Sequence, residues 1–291
     1  DLNIARTSAG QIYDFILTDL EEAERLLDGT GKGNPSFANE GAVKAFLART
    51  YLFLEDWQKA ADKAAEVIDM PYELETEFAD IFDETSMSNE IIFTINFYDD
   101  QSSFNATAEW VSPESRFEVA AWETTEKTSS VYNYFSENDA RRDATVQYSE
   151  LKSAYYCAKY RTYGSDKDNM IIFRLAEMYL IAAEALNELN YEADGEAFDM
   201  LNEVRTRAGL ADLTSAEAGD QNAFRLALEE ERRLEYAFEG HRFFDLKRTN
   251  RINDVLPDIG TLKSANWLFP IPQSELDTNE HEGMTQNEGY Y

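Results

Sequence analysis

The chain has 291 residues, 43% of them apolar, which is enough to bury a substantial core in one or two domains. Its 57 acidic residues outweigh 26 Lys and Arg to give a formal net charge of −31, a surface that repels phosphate backbones and argues against nucleic acid as a partner. A single cysteine, Cys157, rules out a disulfide within the chain, and no stretch reaches the roughly 18 to 20 apolar residues needed to cross a bilayer.

The opening DLNIARTSAG lacks the basic start and apolar run of a secretory signal and passes straight into a helical pattern, so further chain is expected upstream. From 8 to 27, Ile12, Phe15, Ile16, Leu20, Ala23 and Leu27 recur at three- and four-residue steps behind Ser8 as N-cap, which predicts an amphipathic helix. DGTGKGNP (Asp28 to Pro35) follows a helix and lacks the Lys-Ser/Thr ending of a phosphate loop, so it reads as a connector. Two helices follow, Glu40 to Leu54 and Trp57 to Asp69, with Ala42, Ala45, Ala48, Ala60, Ala61, Ala64 and Ala65 at packing positions. This Ala/aromatic hairpin has the composition of a tetratricopeptide-type repeat, whose period is about 34 residues. Trp57, at the start of the second helix, reads as core.

NEIIFTINF (Asn89 to Phe97) is β-branched and aromatic and predicts a strand. Tyr98 to Lys127 is aperiodic, polar and rich in aromatics; so long an irregular stretch in a compact domain is uncommon without a function. SENDARRDATV reads as a turn with a charged flank, and YYCAKYRTYG as a short strand. A second helix hairpin is predicted over Ile172 to Leu189 and Gly195 to Arg207, stopped by Gly209, and a further helix from Phe224. Each hairpin alone leaves an apolar face, so neighbours must stack. The tail from Asp254 is expected to be non-helical, with Trp267 as packing. The fold class is therefore mainly α: helix pairs forming a scaffold (8–69 and 172–253), an irregular loop-rich insert at about 70–171 with a few short strands, and an extended tail (254–291), all in one domain.

The run LALEEERRLEYAFEGHRFFDLKR (Leu226 to Arg248) holds the densest charge. Phe224, Leu228, Glu231, Glu235 and Phe238 fall on one helical stripe, which places two glutamates on the face that should be buried. Buried carboxylates need cations, and Arg232, Arg233, Arg242, Lys247 and Arg248 are the candidates within the segment, with Glu239 and Asp245 extending the network. Gly240 can end the helix in the left-handed region and place His241 in the turn. A catalytic reading would make the glutamates an acid/base pair, but carboxylates four apart on one helix point the same way instead of flanking a substrate. The structural reading is preferred, and no catalytic residue is expected. His241 and His281 show no zinc-ligand spacing, and there is no D-x-D-x-D-G loop for calcium. No cofactor or metal site is expected, although a structural calcium ion is left open.

In order along the chain, IYDFILTDLEEAERLL, GAVKAFLARTYLFLEDWQKAADKAAEVID, YELETEFADIFDETSMSNEIIF, RLAEMYLIAAEALNEL with LNEVRTRAGL, RRLEYAFEGHRFFDLKR, and LFPIPQSELDTN with TQNEGY resemble the SusD/RagB family of outer-membrane nutrient-binding lipoproteins. The resemblance implies a tetratricopeptide-like helical scaffold carrying a ligand site on loops. It implies capture of a glycan at the cell surface, without cleavage, and delivery to a SusC-like TonB-dependent transporter. It also implies attachment to the outer membrane through an N-terminal lipidated cysteine, which this sequence lacks and Cys157 cannot replace; the family's first helices are absent as well. Sugars present apolar C–H faces that flat aromatic rings hold, with polar side chains alongside. Relatives place binding aromatics after the NEIIF-like strand, so Trp110 and Trp122 are the leading candidates, with Tyr98, Phe104 and Asn105 nearby and Glu109 and Glu123 flanking them. Two other classes remain open on the residues alone: a repeat scaffold holding a peptide or protein partner, and, less favoured, a glycosidase.

Overall fold

The computed structural model describes residues 3–83, 87–96, 131–149, 154–160, 169–255 and 267–290. Helix α1 runs Ala9–Leu27, with the Ser8 hydroxyl accepting from the Gln11 N–H at 3.3 Å. Its apolar stripe is not a core face among the described residues: Ile12, Phe15 and Ile16 are 44%, 65% and 38% exposed. In the loop that follows, Gly29, Gly31 and Gly33 all take positive φ. The N–H groups of Gly29 and Gly31 both donate to the Glu40 carboxylate at 3.1 Å, so the chain's own acid occupies the place an anion would need.

Helices α2 (Glu40–Phe53) and α3 (Trp57–Ile68) start where side chains supply caps: Asn39 accepts from Ala42 N–H at 2.9 Å, and Asp56 from Lys59 N–H at 3.4 Å. Between them Glu55 turns the chain at φ +59. The facing alanines Ala42, Ala45, Ala48, Ala60, Ala61 and Ala64 are buried, and side chains this small let the two helices approach closely. Ala65, one step round α3, faces solvent instead, and Trp57 is half-buried.

A 3-10 turn (Phe78–Phe82) leads to strand β1 (Ile91–Ile95), and a second turn covers Val131–Tyr134. The segment with the charged flank forms a short helix, α4 (Arg141–Thr145), that passes into strand β2 (Val146–Ser149). Strand β3 (Ala154–Cys157) pairs antiparallel with β2. Strand β4 (Met170–Arg174) pairs antiparallel with β1, and α5 (Leu175–Leu189) follows at once. The helix predicted from Ile172 thus begins three residues later. Ile172 and Phe173 are better used in the sheet, where Phe173 pairs with Phe93, and Leu175 N–H closes the corner on Glu90 carbonyl at 2.9 Å. Helix α6 (Glu196–Arg207) packs on α5 and ends with Gly209 at φ +73; α7 (Gln221–Glu235) also packs on α5, and α3 covers its other side. The scaffold is mostly helical, in tetratricopeptide-like pairs α2/α3 and α5/α6. Its central core gathers Leu180, Ala183, Phe198, Leu201, Phe224 and Leu228, with Phe198 and Phe224 edge-to-face at 4.7 Å.

Helices α8 (Arg242–Arg248), α9 (Ile252–Val255) and α10 (Gln273–Thr278) follow among the described residues. The tail predicted as non-helical therefore contains α10, which starts after Pro272, a residue whose fixed φ of −52° suits a helix entry. The chain forms two compact units, one of Asp1–Asp19 with Arg242–Tyr291 and one of Leu20–His241. In the first, Asn279 donates to the Ile4 carbonyl at 3.1 Å and Arg6 to Asn287 at 2.7 Å, which ties the N-terminal residues to the tail.

Gly41, in the first turn of α2, is fixed by packing: a Cβ there would lie 2.2 Å from the Tyr72 hydroxyl. Gly→Ala in a helix normally gains stability. Here Gly41→Ala is expected to lower the unfolding free energy, measured by urea denaturation, by about 1–3 kcal/mol of overpacking, and a rise would show that Tyr72 moves aside freely.

Candidate functional site

The two glutamates of α7 lie at the centre of a closed set of charges. Glu235, fully buried, accepts from Arg141 Nη1 at 2.9 Å and from both Arg174 Nη1 and Arg207 Nη2 on its other oxygen. Glu231, also buried, accepts from Arg141 Nη1 at 2.5 Å and Arg205 Nη1 at 3.0 Å. Asp139 clamps Arg141 from below the start of α4, at 2.9 Å to Nε and 2.8 Å to Nη2. Glu90, just before β1, takes Arg174 at 3.1 Å and Arg207 at 3.0 Å. Glu239 takes Arg174 Nε at 2.9 Å and Lys159 Nζ at 2.6 Å. Five carboxylates (Glu90, Asp139, Glu231, Glu235, Glu239) thus meet five cations (Arg141, Lys159, Arg174, Arg205, Arg207), and the formal charge of the cluster is zero.

This balance sets the protonation states. Burial alone would raise the pKa of Glu235, but Arg207, Arg174 and Arg141 outweigh it and hold the group well below the usual carboxylate range. Burial works the same way on Glu239, where Arg174 and Lys159 prevail and the value falls to about 2. Burial pulls the Lys159 ammonium down while Glu239 opposes it. The charged pair is the state the geometry supports, because Lys159 Nζ also donates to the Glu235 carbonyl at 2.9 Å and sits 4.9 and 5.1 Å from the ring centres of Phe78 and Phe82. A carboxylate that is ionised, closed to water and shared among arginines has no proton to give and no room for a substrate. Glu231 and Glu235 share a single guanidinium nitrogen of Arg141 instead of facing each other across a cleft. The arrangement is that of a structural lock.

The cations of this lock differ from the nearby ones expected for it. Arg141, Lys159, Arg174, Arg205 and Arg207 lie 26 to 117 residues from the glutamates they hold. Arg232 is buried with its guanidinium 5.2 Å from the Tyr236 ring, and Arg233 covers the Tyr134 ring at 3.2 Å while pairing with Glu230 at 3.5 Å. The helix itself stops at Glu235: Phe238 turns out of it at φ +67 and Gly240 at φ +82. His241 stacks on Tyr236 at 4.4 Å, and its packing there lowers its pKa against the opposing pull of Glu177. Glu177 is in turn gripped by both Nε and Nη2 of Arg49 at 2.6 Å. Arg242 opens α8, and within that helix Asp245 is buried and pairs with Arg248 at 3.0 Å.

Among the described residues there is no cluster of His, Cys, Asp and Glu fit to hold a metal, and no helix long and apolar enough to cross a membrane. A small hollow of about 40 Å³ opens between the first 3-10 turn and the β1–β4 sheet, lined by Ile81, Asp83, Met87, Ile91, Thr94, Asn169 and Ile171. Tyr98, Phe104, Asn105, Trp110 and Trp122, with Glu109 and Glu123, lie outside the described residues. Trp267 is half-buried, consistent with a packing role.

Residues 79–256 match the SusD family. SusD-like protein P2 of Formosa agariphila is 30% identical to the chain across 99% of it, and the chain spans 66% of that protein's length, just under two thirds. The starch-binding protein SusD of Bacteroides thetaiotaomicron is 34% identical over 128 residues, 41% of this chain and 21% of that protein. Among solved structures, surface glycan-binding protein A from Bacteroides thetaiotaomicron, in complex with laminarihexaose, superposes with a TM-score of 0.79 at 25% identity, covering 97% of this chain and 72% of that one.

Because Glu235 and Glu239 have folded-state values below their ordinary 4.5, their contribution to stability is complete above about pH 4.5 and is lost as pH falls toward about 2. Urea midpoints measured from pH 7 to pH 2.5 are expected to hold down to about 5 and then fall steeply. A midpoint unchanged at pH 3 would contradict an ionised buried network.

Proposed function

The chain belongs to the SusD family, and from that premise we propose that it binds an oligo- or polysaccharide at the cell surface without cleaving it. The observation that carries this reading is the likeness, along nearly all of the chain, to a surface glycan-binding protein in complex with laminarihexaose. The locked state of Glu231 and Glu235 supports the non-catalytic half of the proposal, because the carboxylate pair a glycosidase reading would call on is consumed by arginines. The bound glycan then passes to a SusC-like TonB-dependent transporter in the outer membrane, and the protein is held there by a lipid anchor on chain upstream of residue 1.

The ligand face belongs to the segment between β1 and the Val131–Tyr134 turn. Trp110 and Trp122 stack on sugar rings, with Tyr98, Phe104 and Asn105 beside them. Indole rings suit this task because they offer a large flat apolar face without a charge to desolvate.

Native electrophoresis through gels containing laminarin, starch and other polysaccharides tests the proposal directly. The wild type is expected to be retarded by one of them without releasing sugar. Trp110→Ala and Trp122→Ala are each expected to weaken that retardation about tenfold, the scale of losing one stacked aromatic contact, while Tm stays close to wild type. A large drop in Tm with retardation unchanged would show that these indoles belong to the core.

A further inference from the structure

The β2–β3 pair carries a cluster of aromatic rings at its outer end. Side chains alternate along a strand, so Val146 and Tyr148 share one face of β2, and their cross-strand partners Cys157 and Tyr155 share the same face of β3. Val146 and Cys157 are fully buried and anchor the sheet to the core. Two residues further along, that face emerges: Tyr148 is 46% exposed, with its ring centre 5.0 Å from Tyr155 and edge-on to it. Tyr132, from the 3-10 turn, lies on Tyr155 at 4.8 Å with the planes 33° apart. The Arg142 guanidinium sits 4.8 Å from the Tyr132 ring centre and bonds to Asp143 at 3.4 Å. Tyr134, 41% exposed, stands in the same turn.

Three contiguous phenol rings at the outer end of a two-stranded sheet give apolar ring faces rimmed by hydroxyls and a guanidinium. A pyranose ring asks for that combination, with flat C–H faces to stack and a rim of hydroxyls to hydrogen-bond. The protein's charge narrows the class. At −31, it repels uronate-rich or sulfated chains, so a neutral polysaccharide is favoured. We infer that Tyr148, backed by Tyr155 and Tyr132, is a stacking platform for a neutral pyranose chain, distinct in sequence from Trp110 and Trp122. The inference rests on the glycan-binding reading above and adds to it a second contact surface and a ligand class. Tyr155 and Tyr132 also brace the sheet, so Tyr148, the exposed ring, is the position to test.

The experiment uses the full chain in affinity electrophoresis against a panel of neutral glucans, xylans and mannans, with polygalacturonate as an anionic arm. The tightest neutral polysaccharide then serves as the probe. Tyr148→Ala is expected to weaken binding roughly fivefold, as for loss of one aromatic contact, and Tyr148→Phe to stay within about twofold because stacking survives without the hydroxyl. Tm of both variants should match wild type. Tyr148→Ala binding like wild type would overturn the platform while leaving the glycan reading standing on the tryptophans. Stronger retardation by polygalacturonate than by any neutral polymer would overturn the ligand class. No retardation of wild type by any member of the panel would overturn the glycan reading and this inference together.

Discussion

A carboxylate removed from water is stable only beside a cation held in good hydrogen-bonding geometry, and here five of them meet that condition at once. The acids come from the approaches to β1 and α4, from α7 and from the turn after it; the cations come from α4, from the residue past the end of β3 by two, from the end of β4 and from α6. Segments around both small sheets, with α4, α6 and α7, therefore contribute to one cluster whose formal charge is zero. Replacing such a cluster with apolar side chains of equal volume can be neutral for stability, so its effect lies elsewhere. Any arrangement of these elements that leaves one acid unpaired carries a large penalty, and the native packing is the one that pairs all five. Aromatic rings complete the enclosure: Phe78 lies 4.9 Å from Lys159 and from Arg207, and Tyr236 lies 4.9 Å from Arg174.

The network also explains why a charge-dense, aromatic-rich motif need not be a reactive one. Its groups are bound to one another, and the pKa shifts of Glu235, Glu239, Arg141 and Arg174 keep those four charged. Perturbed titration in a cleft suggests chemistry; the same perturbation inside a closed, neutral cluster suggests structure. The proposed recognition accordingly lies elsewhere, on the rings that β2 and β3 carry and on Trp110 and Trp122. Connecting segments tolerate sequence change better than packed helices, which suits the proposed placement of recognition outside the helical base.

Local chemistry was legible from sequence alone wherever spacing decides the structure. Alanines at helical intervals marked α2 and α3, Gly209 marked the end of α6, and the β-branched run at Ile91 marked β1. The start of α5 was displaced because Ile172 and Phe173 satisfy helix and strand equally well until a partner strand is known. That Glu231 and Glu235 face inward was readable from periodicity, whereas the identity of their partners was not. Arg141 and Arg174 are isolated basic residues whose pairing depends on chain closure across 61 to 94 residues, which no local pattern encodes. Tyr148 and Tyr155 were likewise separate residues until strand pairing set them opposite each other.

The central claim is that the glutamates of α7 and their distant arginines form one coupled unit. A double-mutant cycle on Arg174 and Glu235, using Arg174→Met, Glu235→Leu and the pair together in chemical denaturation, tests it most directly. Each single change strands a buried charge and is expected to cost about 3–5 kcal/mol, with the double change costing less than the two singles combined by at least about 1 kcal/mol. Strict additivity, with no coupling beyond about 0.5 kcal/mol, would contradict the account.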